Sequence, residues 1–436
     1  MNKYLLIFTL FFANSLNAQP NMEIHDAAKD KAKNIFTSLQ TNNFDTLNSF
    51  FSEAFSKKLT ASELEKTFIK FEERYGKAES LLEFAVKVTA EETYYEQGIH
   101  FKKEKMDIIF ALNENMELIS LRVGPYSDKT EWHAPTYVKQ QHFEEYPIEI
   151  GNELPLMGKI TRPLRPEELV IVVMVHGSGP NDMNESLGPN KLFKDLAYGL
   201  ASNNIASIRY NKRSYDYKSS LSKQANTITI DKVVTDDAVK AIAKARELGA
   251  DKVILLGHSL GAHMAPKIAS KAKVDAVVLM AGNVSSLQDM ILPQIEYIMK
   301  NDSAAINKMQ YNRIKWQVDN LEKGNFDSTT VGPILPLGLL GIFWLSMQNY
   351  QPQKISKKQD IPYLVLNGER DYQVTVEEAK KWKGGSKHKY SKTIIYPMLN
   401  HMFFAGEGII LPSEYQKVGH MSEEVLTAIS TWINSL

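Results

Sequence analysis

The chain has 436 residues, 43% hydrophobic and 23% charged, with Lys+Arg and Asp+Glu both at 51 and no cysteine. That balance suits a globular protein large enough for two or three hydrophobic cores, and a formal net charge of zero favours neither nucleic acid nor an anionic membrane surface as a partner. Without cysteine there is no disulfide, no thiolate nucleophile and no lipid attachment through sulfur.

Lys3 precedes the apolar run Tyr4 to Phe12, which gives way to Asn14-Ser15-Leu16-Asn17-Ala18. A basic residue, a short greasy segment and a small residue at the cleavage point describe a secretory signal peptide over residues 1–18, cut after Ala18 and too short for a stable membrane span. Export without disulfides points to a bacterial periplasmic or secreted protein, with no integral membrane segment left after cleavage.

Residues 23–124 read as a small α+β domain. An amphipathic helix is expected from Ala27 to Leu39 and a second from Ser62 to Tyr75, opened by the cap-like Thr60-Ala61-Ser62-Glu63 and closed by Gly76. Four alternating runs follow, Leu82 to Val88, Tyr94 to Phe101, Met106 to Leu112 and Met116 to Val123, which predict a β-meander. No cluster of His, Asp and Ser in this stretch would carry chemistry. A turn-rich linker occupies residues 125–142.

From residue 143 to 436 the pattern changes. Phe143 to Ile150 and Met157 to Thr161 predict an antiparallel pair. Short continuous Val/Ile/Leu runs then alternate with helical stretches: Val170 to Val175, Ile205 to Arg209, Val253 to Leu256, Ala276 to Met280, Tyr363 to Leu366 and Thr393 to Tyr396. Such runs are strands covered on both faces, hence a mostly parallel sheet with right-handed crossovers. The gap between Met280 and Tyr363 is too long for one crossover helix. An insertion over about 283–351, with the apolar segment Ile334 to Met347 broken by Pro336, Gly338 and Gly341, reads equally as a cap over the site or as core packing within that cap.

Within this sheet, Gly257-His258-Ser259-Leu260-Gly261 sits between the strand ending at Leu256 and a helical stretch from Ala262 to Ala272. Strand, glycine-flanked serine and helix in that order make a nucleophile elbow, which pushes the hydroxyl out of the fold and aims the Leu260 N–H at a developing oxyanion. Pro266 interrupts the helix about one turn beyond the serine. A serine nucleophile needs a base, and the base needs an orienting acid; in an open parallel sheet all three come from the carboxyl ends of strands. After Leu366, Asn367-Gly368-Glu369-Arg370-Asp371 offers Asp371, with Glu369 as runner-up. After Tyr396, Pro397-Met398-Leu399-Asn400-His401 offers His401 rather than His420. His258 and His263 read as packed residues beside the elbow. The loop His176-Gly177-Ser178-Gly179-Pro180 after Val175 would supply a second oxyanion donor, the Ser178 N–H.

From about residue 143 onwards the chain resembles serine α/β-hydrolases, and among them a bacterial esterase and acyl-thioesterase-like group with a small N-terminal domain of unknown function. The likeness lies in His176-Gly177-Ser178-Gly179-Pro180, Arg209-Tyr210-Asn211-Lys212-Arg213, Gly257-His258-Ser259-Leu260-Gly261, Leu366-Asn367-Gly368-Glu369-Arg370-Asp371 and Leu399-Asn400-His401. The resemblance implies Ser259 as nucleophile, Asp371 as orienting acid and His401 as base, in the same chain order as the independent reading. Relatives carry Asp where Asn211 stands and often Gly where Ser214 stands. Lys212 and Arg213 are expected in a solvated loop, or else paired with Asp182 or Glu185 across the site mouth.

The expected activity is cleavage of carboxylic esters through an acyl-enzyme on Ser259, with a small acyl compound as substrate and no metal or organic cofactor. Asp182, Glu185 and Tyr210 are the expected substrate contacts; amide or peptide cleavage, in which Asp182 and Glu185 hold a substrate amine near the oxyanion loop, is the alternative, together with acyl-thioester hydrolysis. A binding module with an idle triad is the reading from another class. Neither oligomeric state nor acyl length is written in the sequence.

Overall fold

The computed structural model describes residues 22–127, 129–303 and 305–436, and the segment read as a signal peptide lies outside them. The chain divides into two compact units, Met1–Glu131 and Trp132–Leu436.

In the first unit, helices α1 (Met22–Gln40), α2 (Phe44–Ser49), α3 (Glu53–Ser56) and α4 (Ala61–Tyr75) precede strands β1 (Ala78–Val88), β2 (Thr93–Phe101), β3 (Glu104–Leu112) and β4 (Leu118–Pro125). The strands form an antiparallel meander in the order β1-β2-β3-β4. A capping box opens α4: the Thr60 side chain accepts from the Glu63 N–H while the Glu63 carboxylate accepts from the Thr60 N–H. Gly76 ends the helix. Ala28, Ala32, Ile35 and Leu39 form the buried stripe of α1 and meet Phe101, Phe110 and Leu118 of the sheet in one core.

The second unit opens with β5 (Phe143–Ile150) and β6 (Leu156–Pro163). Then come β7 (Val170–Val175), α5 (Leu192–Ser202), β8 (Ala206–Tyr210), α6 (Asp236–Glu247), β9 (Lys252–His258), α7 (Leu260–Lys271) and β10 (Ala276–Met280). Helices α8 (Ile291–Asn301), α9 (Lys308–Glu322) and α10 (Gly341–Met347) lie in the insertion before β11 (Tyr363–Gly368), β12 (Lys392–Tyr396) and α11 (Glu423–Ile433). The eight-stranded sheet runs β12-β11-β10-β9-β7-β8-β6-β5. Its strands are parallel from β12 to β8, and β6 and β5 close one edge in antiparallel pairing. Strands β7 and β10 are buried at every position, as their unbroken apolar runs require. This is the α/β-hydrolase fold preceded by a small α+β domain.

The apolar segment Ile334 to Met347 does not form one helix. Pro336 to Gly338 is a single tight turn in which Leu337 takes φ 60°, and only from Gly341 does α10 begin. Pro336 and the glycines break the run; Trp344 and Phe343 then bury the part that remains helical. Among the described residues no helix is long and apolar enough to cross a membrane.

Candidate active site

The parallel strands end on one side of the sheet, and five of the loops leaving them converge there. Ser259 follows β9 directly, with φ 53° and ψ −116°, a backbone that residues with a side chain rarely adopt. Two glycines make the turn possible. A Cβ on Gly257 would lie 2.4 Å from the Gly261 carbonyl, and one on Gly261 would lie 2.1 Å from Val175 O. The Ser259 N–H donates to Met280 O at 2.9 Å and its carbonyl accepts from the His263 N–H at 2.9 Å, so the residue closes the sheet and opens α7 in one step. Its side chain is half-buried.

The Tyr350 hydroxyl donates to His263 O at 2.8 Å and Gln359 Nε2 to Pro266 O at 2.9 Å, giving partners to carbonyls around this proline. His263 packs edge-on against Tyr350, and burial pushes it down to about 4, with the bond to Asn283 O pulling weakly the other way. It is a neutral packed residue, as expected for a histidine on the inner face of the helix.

Asp371 and His401 meet. His401 Nδ1 lies 2.7 Å from Asp371 Oδ2, and Asp371 Oδ1 accepts from the N–H groups of Gln373 and Val374 at 2.8 and 2.9 Å. That fixes the carboxylate and leaves the far nitrogen of the imidazole to face away from the acid. Glu369 is exposed, and its backbone N–H only extends the sheet by donating to Tyr396 O. His420 pairs instead with Asp195, at 3.2 Å from both carboxylate oxygens. The His258 and His401 rings stand 4.8 Å apart, which puts the imidazole beside the elbow. Among the described residues the Ser259 hydroxyl closes no hydrogen bond to His401, a link that commonly draws in only when substrate is bound.

The loops that carry Asp371 and His401 are stapled to each other by the neighbours of these two residues. Arg370 makes a two-pronged pair with Glu414, Nη1 to Oε1 at 3.0 Å and Nη2 to Oε2 at 2.7 Å, and Asn400 Nδ2 donates to the same Glu414 Oε1 at 2.9 Å. Partial burial would raise the Glu414 carboxyl, but Arg370 and Asn400 outweigh it and hold it below its ordinary range. Asn400 Oδ1 accepts from the N–H groups of Met402 and Phe404, which shapes the turn that presents His401. Arg370 and Asn400 could have been suspected, since each directly precedes a triad candidate. Glu414 carries no local signal.

On the other flank the His176 to Pro180 loop lies against Ser259, for a Cβ on Gly177 would come within 3.1 Å of Ser259 Cβ. The N–H groups of Ser178 and Leu260 make no hydrogen bond to any described residue and stay available to a substrate oxygen. Tyr210, expected at the substrate, is 2% exposed and sits edge-on under His176, so it supports the loop from beneath. Asp182 accepts from Asn184 N, Ser186 N and Ser186 Oγ; its carboxylate is spent on its own turn. Glu185 is 6% exposed and turned inward, with Oε1 accepting from the Gly177 N–H at 2.5 Å and lying 3.1 Å from His258 Nδ1, off the line of a hydrogen bond but at ion-pair range. Burial would raise this carboxyl, yet the His258 charge and the Gly177 N–H hold it below its usual range. For His258, burial pulls down while Glu185 and the bond to His401 O push harder the other way, and the net shift is upward.

Nor do the two cations form a solvated loop. Lys212 is 6% exposed and Arg213 5%. Lys212 Nζ donates to Gly177 O at 2.7 Å, and Arg213 grips Asp237 through Nε at 3.1 Å and Nη2 at 2.6 Å. Asn211 donates to the buried carboxylate of Asp216 at 2.8 Å and accepts from Met183 N at 2.7 Å. An aspartate at 211 would set two carboxylates against each other here. Nothing in the structure explains Ser214.

A family described as serine aminopeptidase, S33, matches residues 167–407, more than half of the chain, and a family of unknown function, DUF3887, matches residues 32–121. Esterase EstD of Thermotoga maritima is 31% identical over 397 residues, spanning 91% of this chain and 92% of its own length. Among solved structures, a Pyrococcus furiosus esterase is similar at 15% identity with a TM-score of 0.43, over 67% of this chain and 91% of that one. Est1E from Butyrivibrio proteoclasticus is similar at 13% identity and a TM-score of 0.42, over 66% of this chain and 98% of its own. A family match across most of the second unit, together with a relative of this identity along nearly the whole length, places the protein: the chain belongs to the α/β-hydrolase esterase family, as a serine hydrolase with an N-terminal domain of unknown function.

Proposed function

We propose that the protein is an exported hydrolase of carboxylic esters that works through an acyl-enzyme on Ser259. One observation carries the reading: a serine held at φ 53° on an elbow whose neighbouring ring, His258, stands 4.8 Å from a histidine that is itself 2.7 Å from a buried aspartate. In this scheme Ser259 Oγ attacks the ester carbonyl as His401 Nε2 takes its proton, and Asp371 stabilises the imidazolium that results. The carbonyl oxygen, now negative, accepts from the N–H groups of Ser178 and Leu260. His401 returns the proton to the departing alkoxide, and the alcohol leaves. Water then repeats the sequence at the acyl-enzyme, His401 acting as base and then as acid, to release the carboxylic acid and free Ser259.

Two facts favour an ester over an aminoacyl substrate. Of the carboxylates that would hold a substrate amine, Glu185 is buried on the Gly177 N–H and Asp182 is occupied by the N–H and hydroxyl of Ser186 in its own surface turn. The curated relative along nearly the full length is itself an esterase. Turnover of p-nitrophenyl acetate tests the assignment: wild type hydrolyses it with a stoichiometric burst, and Ser259→Ala shows neither burst nor turnover. Equal rates for the two proteins remove the proposal. The leader-like residues 1–18 support export, and a mature protein beginning at Gln19 is the expected N-terminal sequence.

A further inference from the structure

The loop against Ser259 is held by two buried, oppositely charged side chains, one on each peptide group of Gly177. Glu185 Oε1 accepts from the Gly177 N–H at 2.5 Å. Lys212 Nζ donates to Gly177 O at 2.7 Å, with Asn181 Nδ2 a weaker second donor at 3.3 Å. Gly177 O belongs to the same peptide unit as the Ser178 N–H. That unit is planar and trans, so its oxygen and its hydrogen point to opposite sides, and whatever fixes the direction of one fixes the other. A cation on the oxygen also polarises the amide and strengthens its N–H as a donor.

Tethering a loop does not require a charge. An amide would satisfy Gly177 O, and Asn181 is already within reach; burying an ammonium instead is costly unless opposite charges and hydrogen bonds compensate it. Lys212 stays largely cationic at neutral pH. Burial pushes it down to about 8, and the nearby carboxylates of Glu185 and Asp237 keep it from falling further. The clamp also reaches the base: Glu185 is 3.1 Å from His258 Nδ1, and His258 Nε2 is 3.0 Å from His401 O. One chain of buried polar contacts therefore runs from Lys212 through Gly177, Glu185 and His258 to the backbone of His401.

We propose that Lys212, opposed by Glu185 across Gly177, is a positioning residue for acyl transfer that aims the Ser178 N–H at the oxygen on which negative charge develops. The inference rests on reading Ser178 and Leu260 as the oxyanion donors.

The test compares wild type, Lys212→Met, Lys212→Arg and Ser178→Pro with p-nitrophenyl acetate, with rates normalised to the active sites counted by the burst. Losing a whole oxyanion donor lowers kcat by about 100- to 1,000-fold, so a mis-aimed one is expected to lower it by about 10- to 100-fold in Lys212→Met while KM moves less than about threefold. Affinity for an alkyl trifluoromethyl ketone, whose adduct bears the same oxyanion, falls by the factor lost in kcat/KM. Lys212→Arg, which keeps the charge, recovers most of both. A purely structural lysine would change the number of active sites and leave the rate per site alone. A folded Lys212→Met with kcat/KM per site within threefold of wild type, or with its loss confined to KM, overturns the inference. If methionine unfolds the chain, Lys212→Gln is judged by the same two criteria. Ser178→Pro separates the underlying reading, since it deletes the N–H itself. If it leaves kcat unchanged while Ser259→Ala abolishes turnover, the oxyanion assignment falls and Lys212 with it. If Ser178→Pro lowers kcat and Lys212→Met does not, only the role of Lys212 falls.

Discussion

Replacing Ser259 by glycine should make the protein more stable as it destroys activity, and alanine should not. The serine is held at φ 53° and ψ −116°, where a Cβ is unwelcome, and such a conformation costs about 1–3 kcal/mol. Neighbours leave it no escape. Gly257 and Gly261 are packed too tightly to shift, and hydrogen bonds from Ser259 N to Met280 O and from His263 N to Ser259 O pin both of its peptide groups. Glycine adopts this backbone freely, but its looser unfolded chain gives back about 0.5–1 kcal/mol. The net gain for Ser259→Gly is about 0.5–2 kcal/mol. Alanine keeps the Cβ and the strain, and a half-buried hydroxyl is worth little, so Ser259→Ala should stay within about 0.5 kcal/mol of wild type. Urea unfolding followed by tryptophan emission measures this directly, because all five tryptophans lie in the second unit. The midpoint should rise for glycine alone, with an unchanged slope, and the thermal transition should move up by about 1–4 °C. A glycine variant no more stable than the alanine one would mean that the elbow stores no strain.

Further outcomes follow from the same geometry. Asp371→Asn leaves His401 without its anionic partner, and kcat for an ester should drop by about 1,000- to 10,000-fold at nearly constant KM in steady-state assays. Gly261→Ala would put a methyl 2.1 Å from Val175 O, a backbone clash that a side-chain rotation cannot relieve; a loss of more than about 3 kcal/mol in urea unfolding, or failure to accumulate folded protein, is expected. Activity should also fall as pH rises past about 8. Lys212 faces Glu185 and Asp237, with His176 nearby and Arg213 already paired to Asp237, and burial pushes its ammonium down to about 8, so the charge on Gly177 O is present below that pH and lost above it. Because the unfolded lysine holds its proton to higher pH, this group makes folding more favourable over the same interval, which separates the lost activity from unfolding. A Lys212→Arg profile that keeps the same alkaline limb would refute the assignment.

What could be read from the sequence was local, or followed from strand order. The elbow is written in five consecutive residues, and once the parallel strands are known, the ends of β11 and β12 are the places to look for acid and base. Side chains in the loops were another matter. Tyr210, Asp182 and Glu185 lie near the site in sequence terms, but which way each points depends on packing: Tyr210 turns under His176, Asp182 closes its own turn, and Glu185 turns in to Gly177 and His258. Lys212 and Arg213 look solvated because their partners, Gly177 at the end of β7 and Asp237 in α6, reach them only when the sheet folds. The segment Ile334 to Met347 has the composition of a helix, and its proline and glycines decide otherwise.

The supports that local reading missed share one character, and it follows from the composition. With no cysteine anywhere in the chain, loops leaving five different strands can be braced only by packing and by hydrogen bonds, and neutral hydrogen bonds hold direction less firmly than charge-assisted ones. The fold places charged groups where two loops must keep register. Glu414 joins the residue before Asp371 to the residue before His401 through Arg370 and Asn400. Glu185 and Lys212 hold the Gly177 peptides beside Ser259. His258 then links that clamp to the carbonyl of His401. Each brace acts on a neighbour of Ser259, Asp371 or His401 and leaves the candidate reacting group itself free to touch substrate. A change in one brace would mis-aim a donor or a base without removing it, and acyl transfer of the kind proposed depends steeply on that alignment. These side chains should therefore show themselves in kcat per folded molecule and, where a buried charge loses its partner, in the unfolding curve as well.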